Sequence, residues 1–383
     1  GSPGADVEHY DVCIIGGGIA GASVAYHLAP HARVVLLERE SQVGYHSTGR
    51  SAAVYSPQYG SLLNRRLTAV AGGFLTAPPP DFCASPLLRP RGFLTVGHDA
   101  DLAARATAIA EAADTGETLI PLTPAEVHGR IPFLKAGAIS WGLYDPAAQD
   151  MDVDAMLQGY LRGARAHGAR VITGAEVTLC DRSDGDWRIE GPSHALRAGI
   201  VVNAAGAWAD EIGRLAGARP LQIVPHRRTA FICDVPVGVD LTRCPMTVWA
   251  NESFYFKPEA GRLLGSLAEE NPTIAGDPQP DDLDVAIAVD RIENVIDFEI
   301  KKLLKAWTGL RSFTPDRDPV SGFDPQVPNF YWHGALGGYG IQTSAALGAF
   351  AAYHLLGRSL PEALIDAGIV PSDLSPVRLG GVE

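Results

Sequence analysis

The sequence predicts a two-domain α/β chain in which a parallel, doubly wound sheet is interrupted twice by pieces of a second unit built on an antiparallel sheet. Three observations predict it. "YDVCIIGGGIAGASVAYHLAP" followed by "RVVLLE" reads as strand, glycine turn, helix and strand within the first forty residues. From Val224 to about Gly265 the chain becomes β-rich, with "RRTAFICDV" and "ESFYFKPEAGRLLGS" as strands. Near the end, "NFYWHGAL", a glycine turn and "QTSAALGAFAAYHLL" restore a strand, turn and helix.

In chain order, the first strand is expected over Tyr10 to Ile15, its helix ends near Pro30, and the second strand covers Arg33 to Glu38. "TAPPPDFCASPLLRPRG" is too rich in proline for a helix interior or a central strand, and marks the crossing to the second unit. "DVDAMLQGYLRGARAHG" has helical spacing, with Met156, Leu157, Tyr160, Leu161 and Ala164 on one face. "ARVITGAEVTLC" and "GIVVNAAGAWADEIGRLAG" return to strand and strand-to-helix patterns, and "AEENPTIAGDPQPDDLD" reads as a solvated acidic loop. These boundaries assign 8–88, 150–222 and 312–375 to the parallel unit, and 89–149 and 223–311 to the antiparallel one.

At 383 residues the chain can bury two cores, and no apolar run is long enough to span a bilayer. A net charge of −13 without a Lys/Arg-rich tract argues against a nucleic-acid partner. The five cysteines lack CxxC spacing, and the His residues are scattered along the chain, so neither a disulfide framework nor a metal is expected. A reduced, cytoplasmic setting is the expectation. "GSPG" at the start reads as a cloning scar without a secretory signal behind it.

Gly16, Gly18 and Gly21 form GxGxxG between strand and helix. That spacing gives a tight turn, lets backbone approach a pyrophosphate, and lets helix pack on strand, while the helix start offers N–H groups to the anion. Glu38, at the end of the next strand, is placed to accept from ribose hydroxyls, and its charge disfavours a 2′-phosphate. The pattern therefore predicts a Rossmann-like dinucleotide site. In "GYHSTGRSAAVY", Ser47 and Thr48 are candidate donors to phosphate, and Ser51, Ala52 and Ala53 are small enough for close approach of an aromatic ring. A serine hydrolase would need GxSxG at an elbow, which is not present there.

Together, "IIGGGIAGASVAYHL", "LLERESQVGYHSTGRSAA", "VVNAAGAWAD", "LRSF" and "GGYGIQTSAA" resemble the D-amino-acid oxidase (DAO) superfamily of flavoproteins, on the side of D-arginine dehydrogenase and glycine-oxidase-like enzymes. The resemblance runs from about residue 10 to about residue 350. It implies FAD, with Gly16, Gly18, Ile19, Ala20, Gly21, Glu38, Arg39, Val177, Ala205, Gly206 and Trp208 along the cofactor. The turn Gly337, Tyr339, Gly340, Ile341, Gln342, Thr343 would set a helix start against the flavin, where N–H groups stabilise negative charge. Sarcosine-oxidase-like relatives attach FAD through a cysteine shortly before the Thr-Pro that is Thr314 and Pro315 here; this chain has Gly309 and no cysteine nearby, so noncovalent FAD is implied.

Oxidation beside a carboxylate needs a clamp for that carboxylate, and the planar fork of arginine supplies it. By the resemblance Arg311 is the clamp, Arg228 a second substrate arginine, Tyr255 and Tyr59 hydroxyl partners, and the Gly338 carbonyl an acceptor for the amine. Arg227 and Arg228 cannot share a face of one strand, and which faces the flavin stays open. The family's guanidinium-binding carboxylate falls on Phe93 and its active-site His on Val54, which implies an apolar pocket from Val54, Phe93, Met246, Val248 and Trp249.

The favoured expectation is FAD-dependent oxidation of an N-substituted glycine with an apolar tail, such as an N-carboxymethyl β-amino acid, releasing glyoxylate and an amine. The alternative is a dehydrogenase or oxidase of apolar D-amino acids. An alternative of another class is a flavoprotein subunit for tRNA modification or electron transfer. The electron acceptor, O₂ or quinone-like, is not legible.

Overall fold

The computed structural model describes residues 7–44, 53–114 and 119–380. Its first sheet has eight strands, ordered Leu179–Ser183, Asp186–Gly191, His194–Asn203, His9–Ile15, Val34–Leu37 and Arg170–Ile172, with Phe330–Gly334 and Val320–Phe323 attached through His194–Asn203. The central pairings are parallel: Val12 lies opposite Val34 and Ile200, and Val201 opposite Phe330. Both faces are covered, which is why these strands read as unbroken apolar runs. Val12, Ile14, Val34 and Leu36 pack into one core with the helices Ile19–Leu28, Val153–Ala166 and Gly340–Leu355. Their neighbours Cys13, Ile15, Val35 and Leu37 enter a second core with Trp187, Trp332 and the helix Ala209–Leu215.

The helix Val153–Ala166 turns its five expected apolar residues inward. Ile19–Leu28 and Gly340–Leu355 are rich in Ala, Gly and Ser, and they touch closely: a Cβ on Gly348 would stand 2.7 Å from Ser23 Oγ. That closeness holds the two helix starts at one end of the parallel sheet.

The second sheet has nine strands, ordered Asn271–Pro272, Val224–Cys233, Arg262–Ser266, Tyr255–Glu259, Met246–Trp249, Phe93–Gly97, Trp141–Asp145 and Ile120–Leu122, with Leu303–Phe313 also paired to Val224–Cys233. It is antiparallel apart from one parallel pairing, where Met246 lies opposite Phe93. That departure from the expected antiparallel sheet brings a strand from before residue 100 beside one from near 248. A third sheet of three short strands, Val54–Tyr55, Gln149–Met151 and Leu88–Pro90, was not anticipated. Buried Lys257 ties it to the second sheet, because Asp150 accepts from Lys257 Nζ at 2.9 Å and from Arg91 Nε at 2.7 Å.

The acidic stretch after Ala268 is only partly a solvated loop. Glu269 is buried and accepts from the Thr229 amide, Asn271–Pro272 forms a short strand, and a helix starts at Asp282.

Candidate active site

A cavity of about 560 Å³ runs from the glycine turn at the carboxyl ends of the parallel strands to the face of the nine-stranded sheet. Gly16, Gly18, Ile19, Ala20, Glu38, Arg39, Ala53, Val177, Ala205, Gly206 and Trp208 line it, as do Gly337, Gly340 and Ile341. This is the crevice position at which open parallel sheets bind ligands.

The turn admits no side chain. A Cβ on Gly16 would fall 2.0 Å from the Ala204 carbonyl oxygen, and Gly16 has φ of +120°. A Cβ on Gly21 would meet the Gly16 carbonyl oxygen at 1.8 Å, so Gly21 packs helix on strand and is not itself on the cavity wall. Glu38 is fixed by its carboxylate, which accepts from the amides of Gly17 at 2.6 Å and Glu40 at 3.1 Å. The N-cap residues Gly18 and Tyr339 make no side-chain cap bond of their own, and both helix starts border the cavity. Arg39 lies over the Trp208 ring, 4.6 Å from its centroid. Buried His333 also borders the cavity, its Nδ1 2.9 Å from Ser321 Oγ and its Nε2 without a partner among the described residues. Burial pushes the His333 pKa down to about 3, so the ring is neutral and offers an uncommitted nitrogen. A side-chain-free cradle, a buried carboxylate at the end of the second strand, two helix starts on the wall and a polar nitrogen without a described partner together fit an extended dinucleotide such as FAD.

Four predicted cofactor residues, Ser47, Thr48, Ser51 and Ala52, lie outside the described residues. Besides Gly21, three others are placed off the cavity wall. Tyr339 packs against Tyr59, with ring centroids 5.0 Å apart. Gln342 accepts from the Ser56 amide, and Thr343 donates to the Tyr339 carbonyl inside the helix. Only the first residues of a helix face what lies before it; by the third and fourth positions here, side chains have turned into the core.

At the other end, Arg311, Arg228, Tyr255, Tyr59 and Gly338 all line the cavity, joined by Val54, Phe93, Met246 and Val248. Sheet register brings them together. Phe93 is opposite Met246, Val248 opposite Tyr255, and Arg228 opposite Gly309, two residues before Arg311. Trp249 corrects the expected pocket: it is not on the wall but stacks on Phe254 at 5.6 Å. Successive strand residues point to opposite faces, so Met246 and Val248 exclude Trp249. The same rule separates the paired arginines, with Arg228 in the cavity and Arg227 donating to the Gln279 carbonyl outside it.

The two cavity arginines differ in what holds them. Arg228 is buried, donates through Nε to the Glu269 carbonyl at 2.9 Å, and pairs with Glu270 at 3.3 Å; Glu270 also meets Arg317 at 3.0 Å. Arg311 makes no hydrogen bond or ion pair with a described side chain, and lies so close to Gly338 that a Cβ there would be 2.6 Å from a guanidinium nitrogen. Burial holds the Tyr59 hydroxyl above its ordinary range, with Arg311 pulling it down and Glu252 pushing it up. Sequence reasoning missed Glu252, Ser56, Ala268, His333 and Ala335 on the wall. Ala335 has φ of +56°, which a non-glycine residue seldom adopts, and no sequence signal marks it.

A model of the FAD dependent oxidoreductase family (DAO) matches residues 11–354. Mitochondrial dimethylglycine dehydrogenase of Mus musculus is 28% identical over 394 residues, which cover 94% of this chain but 44% of that protein. FAD-dependent oxidoreductase domain-containing protein 1 of Bos taurus is 24% identical over 424 residues, covering 96% of this chain and 84% of that one. The structure of glycine oxidase from Geobacillus kaustophilus superposes with a TM-score of 0.82 at 22% identity, over 94% of this chain and 98% of that chain.

Proposed function

This chain belongs to the DAO family of FAD dependent oxidoreductases, and on that premise we propose that it oxidises the C–N bond next to the carboxylate of an N-substituted glycine with an apolar stem. The observation that carries this reading is Arg311: a guanidinium on the cavity wall with no ion-pair partner among the described residues, beside Gly338 and in the same cavity as Phe93, Met246 and Val248. Similarity to a dimethylglycine dehydrogenase and to a glycine oxidase supports the same substrate class.

Bound FAD, which we propose is held noncovalently, supplies the two-electron acceptor. The chain's own groups do the rest. Arg311 binds the substrate carboxylate through its planar fork and so fixes the adjacent C–H. The Gly338 carbonyl accepts from the amine, and the Tyr59 and Tyr255 hydroxyls fill the remaining polar positions. The amine reacts uncharged, because its lone pair must form the C=N bond as hydride leaves carbon. Water then adds to the imine, and glyoxylate and the free amine separate.

Arg228 is already paired with Glu270, which favours a substrate with one carboxylate over an N-carboxymethyl β-amino acid with two. It keeps an apolar D-amino acid as the second reading, since that too presents one carboxylate to Arg311. The test is anaerobic bleaching of the flavin by N-alkylglycines and by D-amino acids of matched side chain, followed by assays for glyoxylate and ammonia. Bleaching with glyoxylate supports the first reading and bleaching with ammonia the second. A flavin that neither class reduces refutes both.

A further inference from the structure

We infer that Glu252 makes this cavity selective for a substrate whose far end is cationic, with its carboxylate on Arg311, an apolar stem along Phe93, Met246 and Val248, and an ammonium or guanidinium at Glu252. The inference rests on the proposed oxidation beside a carboxylate and adds the distal chemistry of the substrate.

Four glutamates line the cavity. Glu38 is bonded to the Gly17 amide, Glu176 stands 3.9 Å from Arg39, and Glu211 lies on the helix Ala209–Leu215, all at the nucleotide end. Glu252 alone of the four belongs to the substrate end, on the short turn between the strands Met246–Trp249 and Tyr255–Glu259. It is exposed, and no described side chain forms an ion pair with it. The other carboxylate of this region, Glu270, is engaged by Arg228 and Arg317.

The turn is built to present this side chain. Trp249 stacks on Phe254 beneath it, and the Trp249 amide donates to the Phe254 carbonyl at 3.0 Å. Between them Asn251 and Glu252 adopt left-handed backbone, with φ of 61° and 54°, a conformation that non-glycine residues hold only where surrounding structure imposes it. The hydroxyls of Tyr59, on the wall, and of Tyr339, packed against it, feel both charges, positive from Arg311 and negative from Glu252. A cavity lined by a cation, an anion and apolar side chains is complementary to a molecule with a carboxylate and a cation separated by methylenes.

The experiment compares isosteric pairs on the FAD-loaded enzyme: N-(4-aminobutyl)glycine against N-pentylglycine, and D-lysine against D-2-aminoheptanoate. The wild type is expected to favour the cationic member by about tenfold or more in kcat/KM, chiefly through KM. Glu252→Gln should cut that preference about tenfold, Glu252→Asp should keep part of it, and raising salt should erode it in the wild type without any substitution. Equal rates for the two members, or a preference that Glu252→Gln and salt leave unchanged, overturns the inference while the oxidation itself stands. If no member of either pair reduces the flavin, the reading beneath it falls as well.

Discussion

The two ends of the cavity are built on opposite plans. At the nucleotide end, the turn Gly16 to Gly21 and Glu38 come from one contiguous strand, turn, helix and strand, and backbone does most of the work. At the substrate end, Val54, Phe93, Arg228, Val248 with Glu252, and Arg311 come from five separated segments, and side chains do the work. A site made of local backbone tolerates almost no added atom, because nothing in a close-packed turn can yield. A site assembled across a sheet can exchange one side chain for another while the register survives. This contrast makes the nucleotide end the sterically rigid part of the molecule and the substrate end the adjustable one.

The largest expected effect tests the first half of that contrast. Gly16→Ala forces a methyl group to 2.0 Å from the Ala204 carbonyl oxygen at a φ of +120°, so the protein should purify without FAD and with a lowered Tm, read from the flavin absorbance and a melting curve. Normal flavin content would mean that the turn is not rigid. Next in size is Arg311→Ala, expected to lower kcat/KM by about 10³-fold through loss of the carboxylate clamp while Tm stays within a degree or two. A large fall in Tm would instead make Arg311 structural.

Arg228→Ala should give the converse result and so separate the two arginines. Its guanidinium is buried and bonded to Glu269 and Glu270, so the substitution should cost about 2 kcal/mol of stability. Its effect on KM should be smaller than that of Arg311→Ala. Equal kinetic losses would return Arg228 to the carboxylate.

The smallest effect is in pH dependence, at the boundary between the two ends. Folded His333 has a pKa near 3 against an ordinary 6.5. The unfolded chain therefore takes up the proton first, and this contribution to stability is complete above about pH 6.5 and is lost progressively as pH falls toward 3. His27, lowered by burial to about 4, acts in the same direction. His333→Asn should make Tm fall less between pH 7 and pH 5 than in the wild type; an unchanged slope would assign acid lability to His27 and other groups.

How much of this was legible follows the same division. The strand ends at 9–15 and 34–37, the helix from Ile19 and the inward face of Val153–Ala166 follow from local apolar spacing. The cofactor residues at the start of the glycine turn follow from steric necessity there. The helices at 102–114 and 282–293 lacked a sharp apolar face in the sequence and were missed. Trp249 was misplaced because three residues of one strand were put on one side, which the alternation of side chains forbids.

The sequence by itself determined the dinucleotide end, because a GxGxxG turn and a carboxylate one strand later are local consequences of backbone geometry. It determined also that an arginine of "LRSF" was available for a carboxylate. Only the tertiary structure decided which of Arg227 and Arg228 enters the cavity, that Glu270 pairs with it, and that Glu252 stands on the wall where Phe93 offers no charge. Those outcomes depend on strand register and on a turn held in left-handed backbone, and both are fixed by pairings between residues far apart in the chain.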